Sequence, residues 1–436
     1  MEKGFTSAEL YEAWPVLSAE ERVEGFEFLH RDDADAFFLQ LSARDRAQLI
    51  LALPAGERRL WMRLLAPDDA ADLIQEAPAA EREGLLALLD DRTRGEVKGL
   101  LDYAEDEAGG LMNTRYSRLR LDMTVDEAIS YLRRDARHRE QTVYYVYVVD
   151  SEEHLLGVVS FRDLIVAPGD KLVREVMRTA VISAPEDLDQ EALSKLFMRH
   201  HLVMMPIVDS EGRIKGVVNV NDIVDVVQEE ATEDIQKIGG VQTLEGPYLE
   251  VPLPRMIKKR AGWLAALFLG EMLTATAMGQ FEAEIARAVV LALFVPLIIS
   301  SGGNSGSQAT TLVIRAMALG EVRVRDWWRV IRRELVTGLG LGLILAFIGL
   351  VRIVLWQFLF NAYGEHYVLI ALTVSLSLIG VVLWGAIAGS LLPFVLRALG
   401  FDPASASAPF VATLVDVTGL VIYFSVAVIV LRGTLL

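Results

Sequence analysis

Apolar and polar positions alternate in three distinct ways along the chain. Over residues 17–101, Leu17, Leu29, Leu41, Leu53, Leu65, Leu89 and Leu101 recur every twelve residues, with Ala77 in the remaining place. The next position is often a cap or a breaker: Ser18, Ser42, Pro54, Pro78, Asp90, Asp102. Charged residues follow, as in Ser42-Ala43-Arg44-Asp45. Each unit predicts a short capped helix and a turn. Stacked short helices build an α-superhelix, a scaffold rather than a chemical site. Eight positions in phase weigh against chance leucine spacing.

Residues 112–228 hold a longer repeat. VVDSEEHLLGVVSFRDLI (148–165) matches IVDSEGRIKGVVNVNDIV (207–224) at an offset of 59. Each copy predicts strand, turn, strand and the start of a helix. TVDEAISYL (124–132) and DQEALSKL (189–196) are matching amphipathic helices upstream. The pattern resembles a tandem pair of CBS domains, regulatory modules that bind adenine nucleotides or metal ions. That resemblance puts Tyr145, Arg162 and Asp163 near an adenine-nucleotide (ATP) site; the alternative is ordinary strand and helix-cap residues. DIVDVVQEEATEDIQKIGG (222–240) then predicts a helix ending at Gly239-Gly240. Asp222, Asp225, Glu229, Glu230, Glu233 and Asp234 fall largely on one stripe. Like charges so spaced destabilise a helix. They form either a solvated face or a surface bridged by cations.

Five apolar segments complete the chain, at about 261–281, 286–314, 334–360, 366–396 and 409–432. Each is long enough to cross about 30 Å of hydrocarbon. Arg255, Lys258, Lys259 and Arg260 precede the first, and Arg315, Arg323, Arg325, Arg329, Arg332 and Arg333 link the second to the third. The outer links carry Glu282, Glu284 and Glu365, with Arg287 their one strong base. The positive-inside rule therefore expects a cytosolic N-terminus and an external C-terminus.

Composition sharpens the division. The chain is 53% hydrophobic, with mean hydropathy +0.35. Residues 1–250 carry 28 bases and 50 acids, a charge of −22; residues 251–436 carry 14 and 9, a charge of +5. So acidic a block repels nucleic acid, which argues against DNA or RNA as a partner, and attracts cations. With no cysteine, disulfides, thiolate metal sites and Cys nucleophiles are excluded. Six histidines without an HExxH pattern leave little for zinc. Glu2, Glu9, Glu12 and Glu20, with no apolar run among the first 30 residues, predict no cleavable signal peptide.

Two features of the apolar region are costly in lipid. PLIISSGGNSGSQATT (296–311) predicts a polar, glycine-containing break in the second span. Such a segment lines a water-filled path or packs helices closely; the amides of Asn304 and Gln308 argue against packing alone. Asp416, inside PFVATLVDVTGLVIYF (409–424), has no Lys or Arg at similar depth. A mid-membrane carboxylate costs about 2.5–3.5 kcal/mol, so it faces a partner or a pathway, and a bound cation fits better than a salt bridge. Glu271 is a second such carboxylate, either protonated or near the outer interface. Oxygen ligands without sulfur suit hard ions. Mg²⁺ keeps several waters while using one or two carboxylates, although Mn²⁺, Co²⁺ and Na⁺ remain open on chemistry alone. An intramembrane aspartyl enzyme would need two convergent acids, so a non-enzyme is expected.

Taken together, EDEAGGLM (105–112), EATEDIQKIGG (230–240), PLIISSGGNSGSQATTLVIRAMA (296–318) and PFVATLVDVTGLVIYF (409–424) resemble the MgtE magnesium channels from about residue 17 onward. The implied fold is multidomain: an α-helical superhelix at 1–110, α/β CBS domains at 111–170 and 171–228, an acidic connecting (plug) helix and linker at 222–250, and an all-α membrane domain of five helices at 251–436. The resemblance implies a homodimer in a bacterial inner membrane, with a pore lined by the second and fifth spans. Asp416 would hold hydrated Mg²⁺ there, helped by Asn304 and the backbone around Ala412. It further implies regulatory Mg²⁺ sites that close the pore, at Asp222, Asp225, Glu230, Glu233 and Asp234 on the plug helix, Asp189 and Glu191 in the second CBS domain, and Asp402. Asp68 and Asp72 of the superhelix match more loosely. Arg199-His200-His201 replaces an acidic position of that pattern, which would weaken one regulatory site. The alternative is a CBS-regulated transporter of another divalent cation such as Co²⁺ or Mn²⁺.

Overall fold

The structure, a computed structural model, describes residues 6–135, 144–244, 246, 248–249 and 251–435. Glu2 lies outside the described residues. Two compact units divide the chain, 1–229 and 230–436.

The first unit opens with eight short helices: α1 (Ser7–Ala13), α2 (Ala19–Glu27), α3 (Arg31–Gln40), α4 (Ala43–Ala52), α5 (Ala55–Met62), α6 (Pro67–Glu76), α7 (Ala79–Leu88) and α8 (Asp91–Leu100). From α2 onward, each in-phase apolar residue stands two positions before a helix start. Leu41, Leu53, Leu65, Ala77 and Leu89 are buried there. Ser18, Ser42 and Asp90 cap their helices through side-chain oxygens, whereas Pro54 and Pro78 stand at N-caps with no such bond. Asp102 starts no helix, because the chain turns after α8 toward the next domain. The physical repeat is twice the sequence period. Helices pack on their second neighbours: α2 on α4, α4 on α6, α6 on α8, α1 on α3, α5 on α7. Their bonds recur at an offset of 24: Arg22 pairs with Asp45 (3.3 Å) and donates to Trp14 O, while Arg46 pairs with Asp69 (2.5 Å) and donates to Phe38 O.

Residues 106–113 join this array to the second α/β repeat through Ala108 N to Leu188 O (2.8 Å), Gly109 N to Glu186 O (2.8 Å) and Asn113 N to Val217 O (2.7 Å). Repeat one comprises β1 (Arg118–Leu119), α9 (Val125–Asp135), β2 (Tyr145–Val149), β3 (Leu155–Ser160), α10 (Phe161–Val166) and the single turn α11 (Val173–Val176). Repeat two comprises β4 (Ala184–Pro185), α12 (Gln190–His200), β5 (Met204–Val208), β6 (Ile214–Asn219) and α13 (Val220–Ile238). Each sheet has a parallel first pair and an antiparallel second pair. The offset of 59 holds in detail: Asp150 and Asp209 make the same side-chain-capped turn. Glu153, at φ 68°, occupies the left-handed position that Gly212 fills in the other copy. The two turns also pair, Leu155 N with Gly212 O and Ile214 N with Glu153 O, both at 3.0 Å. The second copy's last helix runs on for 19 residues to Ile238, and the chain leaves it through Gly239 and Gly240, φ 71°, as the diglycine predicts.

The second unit contains α14 (Leu253–Gln280), α15 (Glu282–Arg287), α16 (Val295–Ala318), α17 (Trp327–Phe360), α18 (Tyr367–Ala398) and α19 (Ala408–Leu431). Five of its helices are long and apolar enough to span a membrane. The expected break at 296–311 is absent: α16 is helical throughout, and the irregular 3₁₀ backbone lies earlier, at Val289–Phe294. The glycines of α16 serve contact instead. Gly302 and Gly306 face Gly385 and Gly389 of α18 so closely that a methyl on Gly306 would stand 2.8 Å from Val411 Cγ1 and 3.1 Å from Gly385 O. Ser305 and Thr310 donate to Val382 O (3.1 Å) and Gly389 O (2.7 Å) across this crossing. Small residues let helix backbones approach, and hydroxyls hold them together.

Candidate ion pathway and regulatory acids

The helical period gives α16 two faces. Gly302, Ser305, Gly306, Ala309 and Thr310 are buried against neighbours, while Ser300, Asn304 and Gln308, spaced by four, are exposed. Asn304 Nδ2 donates weakly to Ser300 Oγ (3.4 Å), and Gln308 has no partner among the described residues. Amides on an exposed face at membrane depth require water, an ion or protein against them. On the packed side of Asn304, a methyl on Gly303 would stand 3.4 Å from both Ala412 Cβ and Asp416 Oδ1. The Asp416 carboxylate therefore lies against this side of α16, next in sequence to Asn304 and one turn beyond Ala412 on α19. These three sequence-predicted residues come together. Asp416 has no ion pair or hydrogen bond among the described residues.

In the first unit the sequence-predicted acids converge in part. Asp68 and Asp72 of α6 lie within electrostatic reach of Asp222 at the start of α13, and Asp69 acts on all three. Burial, with repulsion from Asp69, Asp222 and Asp72, pushes the Asp68 carboxyl well above the usual carboxylate range. Asn113 Nδ2 donates to it (3.0 Å). Burial, then Asp69 and Asp222, raise Asp72 to about 7 against the pull of Arg46. Burial raises Asp222 to about 6 and also lifts Asp225 and Glu229. Carboxylates held this way favour a proton or a cation. Asp189 caps α12 through Ala192 N (3.1 Å), and Glu191 pairs with Lys195 (2.5 Å). Among the described residues no three His, Asp or Glu side chains are arranged to hold a metal unaided. Arg199 and His200 occupy the last turn of α12, where basic groups suit the helix dipole, and His201 is its left-handed cap.

The second unit contains a cation that sequence reasoning missed. Lys237 Nζ lies 2.5 Å from Glu233 and 2.7 Å from Asp402, tying the end of α13 to the loop before α19. Burial works against its charge, but the two carboxylates outweigh it and hold its pKa above the ordinary lysine value. Ile238, Ile314, Ala404 and Ala406 pack beneath this bridge. The signal lay in Glu233 and Lys237 standing four apart on a helix; their third partner is 165 residues away. Glu230 and Asp234 occupy the same helix.

The three nucleotide candidates share one neighbourhood. Tyr145 pairs with Ser160 in the β2–β3 register. Ser160 caps α10 by accepting from Asp163 N (3.0 Å), and Arg162 is exposed beside it. Asp163 also accepts from Arg178 (3.3 Å). A cleft of about 840 Å³ on the same domain, lined by Arg118, Arg120, Tyr131, Arg134 and Asp150 among others, includes none of the three.

Family models match along most of the chain: an MgtE intracellular N domain at 5–106, CBS domains at 108–170 and 173–229, and an MgtE divalent cation transporter domain at 295–426. The magnesium transporter MgtE of Thermus thermophilus is 43% identical over 346 residues, spanning 79% of this chain and 75% of its own. The chain belongs to the MgtE family of divalent cation transporters. The MgtE of Enterococcus faecalis is 34% identical, over 78% of this chain and 72% of its own. A crystal structure of the cytosolic domain of the Mg²⁺ channel MgtE in complex with ATP is 39% identical, covering 51% of this chain and 90% of that one, with a TM-score of 0.48. Family membership together with five apolar helices makes the chain a multi-pass membrane protein. A helical N-terminal array, a CBS pair, a connecting helix and an all-α membrane domain are the architecture that the MgtE resemblance implies.

Proposed function

We propose that this protein conducts Mg²⁺ across a bacterial cell membrane as a homodimer and is closed by Mg²⁺ bound to its acidic N-terminal region and plug helix. The observation that carries the reading is Asp416. It is an unpaired carboxylate in a membrane helix, resting on the bare backbone of Gly303 beside the exposed amide of Asn304. One carboxylate with amide and backbone oxygens suits a cation that keeps its water. Two copies about a two-fold axis double the charge without demanding dehydration. The clustered bases before α14 and between α16 and α17 support a cytosolic N-terminus and an external C-terminus. Mg²⁺ is favoured because curated relatives above 30% identity are magnesium transporters.

Closure follows from the electrostatics of the acids. Asp68, Asp72, Asp222 and Asp225 sit among like charges in the absence of an ion, and Asp189, Glu191, Glu230, Glu233, Asp234 and Asp402 are the further acids open to a cation. A divalent cation shared among them favours whichever arrangement brings them together, by its differential affinity for that arrangement. Adenine nucleotide binds at Tyr145, Arg162 and Asp163 and adjusts the same equilibrium. Asp416→Ala tests the pathway: in a strain whose growth depends on added Mg²⁺, the variant is expected not to rescue growth although it reaches the membrane. Normal rescue would sink the assignment.

A further inference from the structure

Glu271 is the second carboxylate within the apolar region, and the packing of α14 fixes its level. Trp263 Nε1 donates to Ser407 Oγ (3.0 Å), and its ring lies 6.2 Å from that of Phe410. Seven residues later, a methyl on Gly270 would stand 2.9 Å from Thr413 Cγ2. These contacts advance together along both chains, so α14 and α19 run side by side in the same direction. Glu271 then stands level with Leu414, about 3 Å below Asp416 along the axis at 1.5 Å per residue. It is exposed on α14 and has no ion pair or hydrogen bond among the described residues. The nearest base on its own helix is Arg260, about 16 Å away by the same rise. An exposed carboxylate at that depth is stable only where water or a cation reaches it.

We propose that Glu271 is a second acidic group of the ion pathway, acting with Asp416 on the same hydrated cation and setting its preference for divalent over monovalent ions. The inference rests on the reading of Asp416 as the pathway carboxylate. A charge acting through water about 8 Å away contributes about sixfold to the local occupancy of a divalent ion and about twofold for a monovalent one. The sign and the ratio of those two effects distinguish a charge in the pathway from a residue that only packs.

The full chain is reconstituted in liposomes holding a Mg²⁺-sensitive dye, as wild type, Glu271→Gln, Glu271→Asp and Asp416→Ala. Glu271→Gln should raise the half-saturating Mg²⁺ concentration about sixfold and the half-saturating Na⁺ concentration, read with a Na⁺-sensitive dye, only about twofold. Glu271→Asp, which keeps the charge, should stay within twofold of wild type. Unchanged half-saturation in Glu271→Gln with transport lost in Asp416→Ala overturns the role of Glu271 alone. Transport retained in Asp416→Ala overturns the underlying reading. Should Glu271→Gln fail to assemble, Glu271→Asp decides: a shift as large as a neutral residue would cause shows that charge is not what the position supplies.

Discussion

Asp72→Asn should stabilise the protein, and only where Asp72 would otherwise be charged. The folded carboxyl titrates at about 7 against an ordinary value of 3.8, because burial and the charges of Asp69 and Asp222 disfavour ionisation. Between those values the folded state binds more protons than the unfolded state, so stability falls as pH rises through that window. The penalty is slight near pH 4, grows up to about pH 7 and is constant above. At 1.36 kcal/mol per pKa unit the whole shift corresponds to about 4 kcal/mol. Asparagine must itself be buried in the same polar site, which costs about 1–3 kcal/mol when imperfectly paired and leaves about 2 kcal/mol of gain. For a unit of this size that is about 4–8 °C in Tm. The assay is the apparent Tm of detergent-solubilised protein in chelator, by tryptophan fluorescence, at pH 4.5 and pH 7.5, with and without Mg²⁺. The variant should melt higher than wild type at pH 7.5 and a little below it at pH 4.5, where little ionisation penalty is left to offset the cost of burying the amide. Added Mg²⁺ should raise wild type more than the variant. A lower Tm for the variant at pH 7.5, or a difference independent of pH, would refute the electrostatic account of this cluster.

Two further outcomes concern the second unit, besides those stated for Asp416 and Glu271. Gly389→Ala puts a methyl well inside van der Waals contact distance of Gly306 O and 2.8 Å from Thr310 Oγ1; backbone cannot yield cheaply, so about 1–3 kcal/mol or more of stability is lost, read as a lower apparent Tm and loss of uptake. Lys237→Gln leaves Glu233 and Asp402 without their shared cation, so protease cleavage near residues 239–244 should accelerate in chelator and slow again as Mg²⁺ is added; equal rates for both proteins would show that the bridge holds nothing.

Periodicity was the most legible feature of the chain. The spacing from Leu17 to Leu101 marks helix starts because each turn must bury one apolar residue while its neighbour caps the next helix. The 59-residue offset survives down to single turn residues because both copies solve the same backbone problem, with Glu153 tolerating what Gly212 takes up without strain. Asp416 was legible for an energetic reason: a lone acid in an apolar run needs explaining. The structure of 296–311 was not. Serine and glycine composition suggests irregular backbone, but composition cannot say which helix lies opposite, and Gly385 and Gly389 are some eighty residues away. Lys237 was hidden similarly, since Asp402 becomes its partner only after the chain has folded back through the membrane helices. The convergence of Asp68 and Asp72 with Asp222 likewise depends on how the helical array meets the second repeat through Asn113.

The second-neighbour packing of α1 to α8 gives the N-terminal array a parity. The even helices stack on one another from α2 to α8, α1 lies on α3 and α5 on α7, and the buried arginines Arg22 and Arg46 stand 24 residues apart rather than twelve. Loss or gain of a single helix would send every later helix to the opposite layer and carry α6, with Asp68 and Asp72, away from its partners. Loss or gain of a pair would leave each remaining helix in its layer. Descent can therefore lengthen or shorten this array most easily in steps of two helices, and such paired changes on the N-terminal side of α6 leave its acids undisturbed. The reach of the domain is free to vary while the chemistry at its far end stays in place.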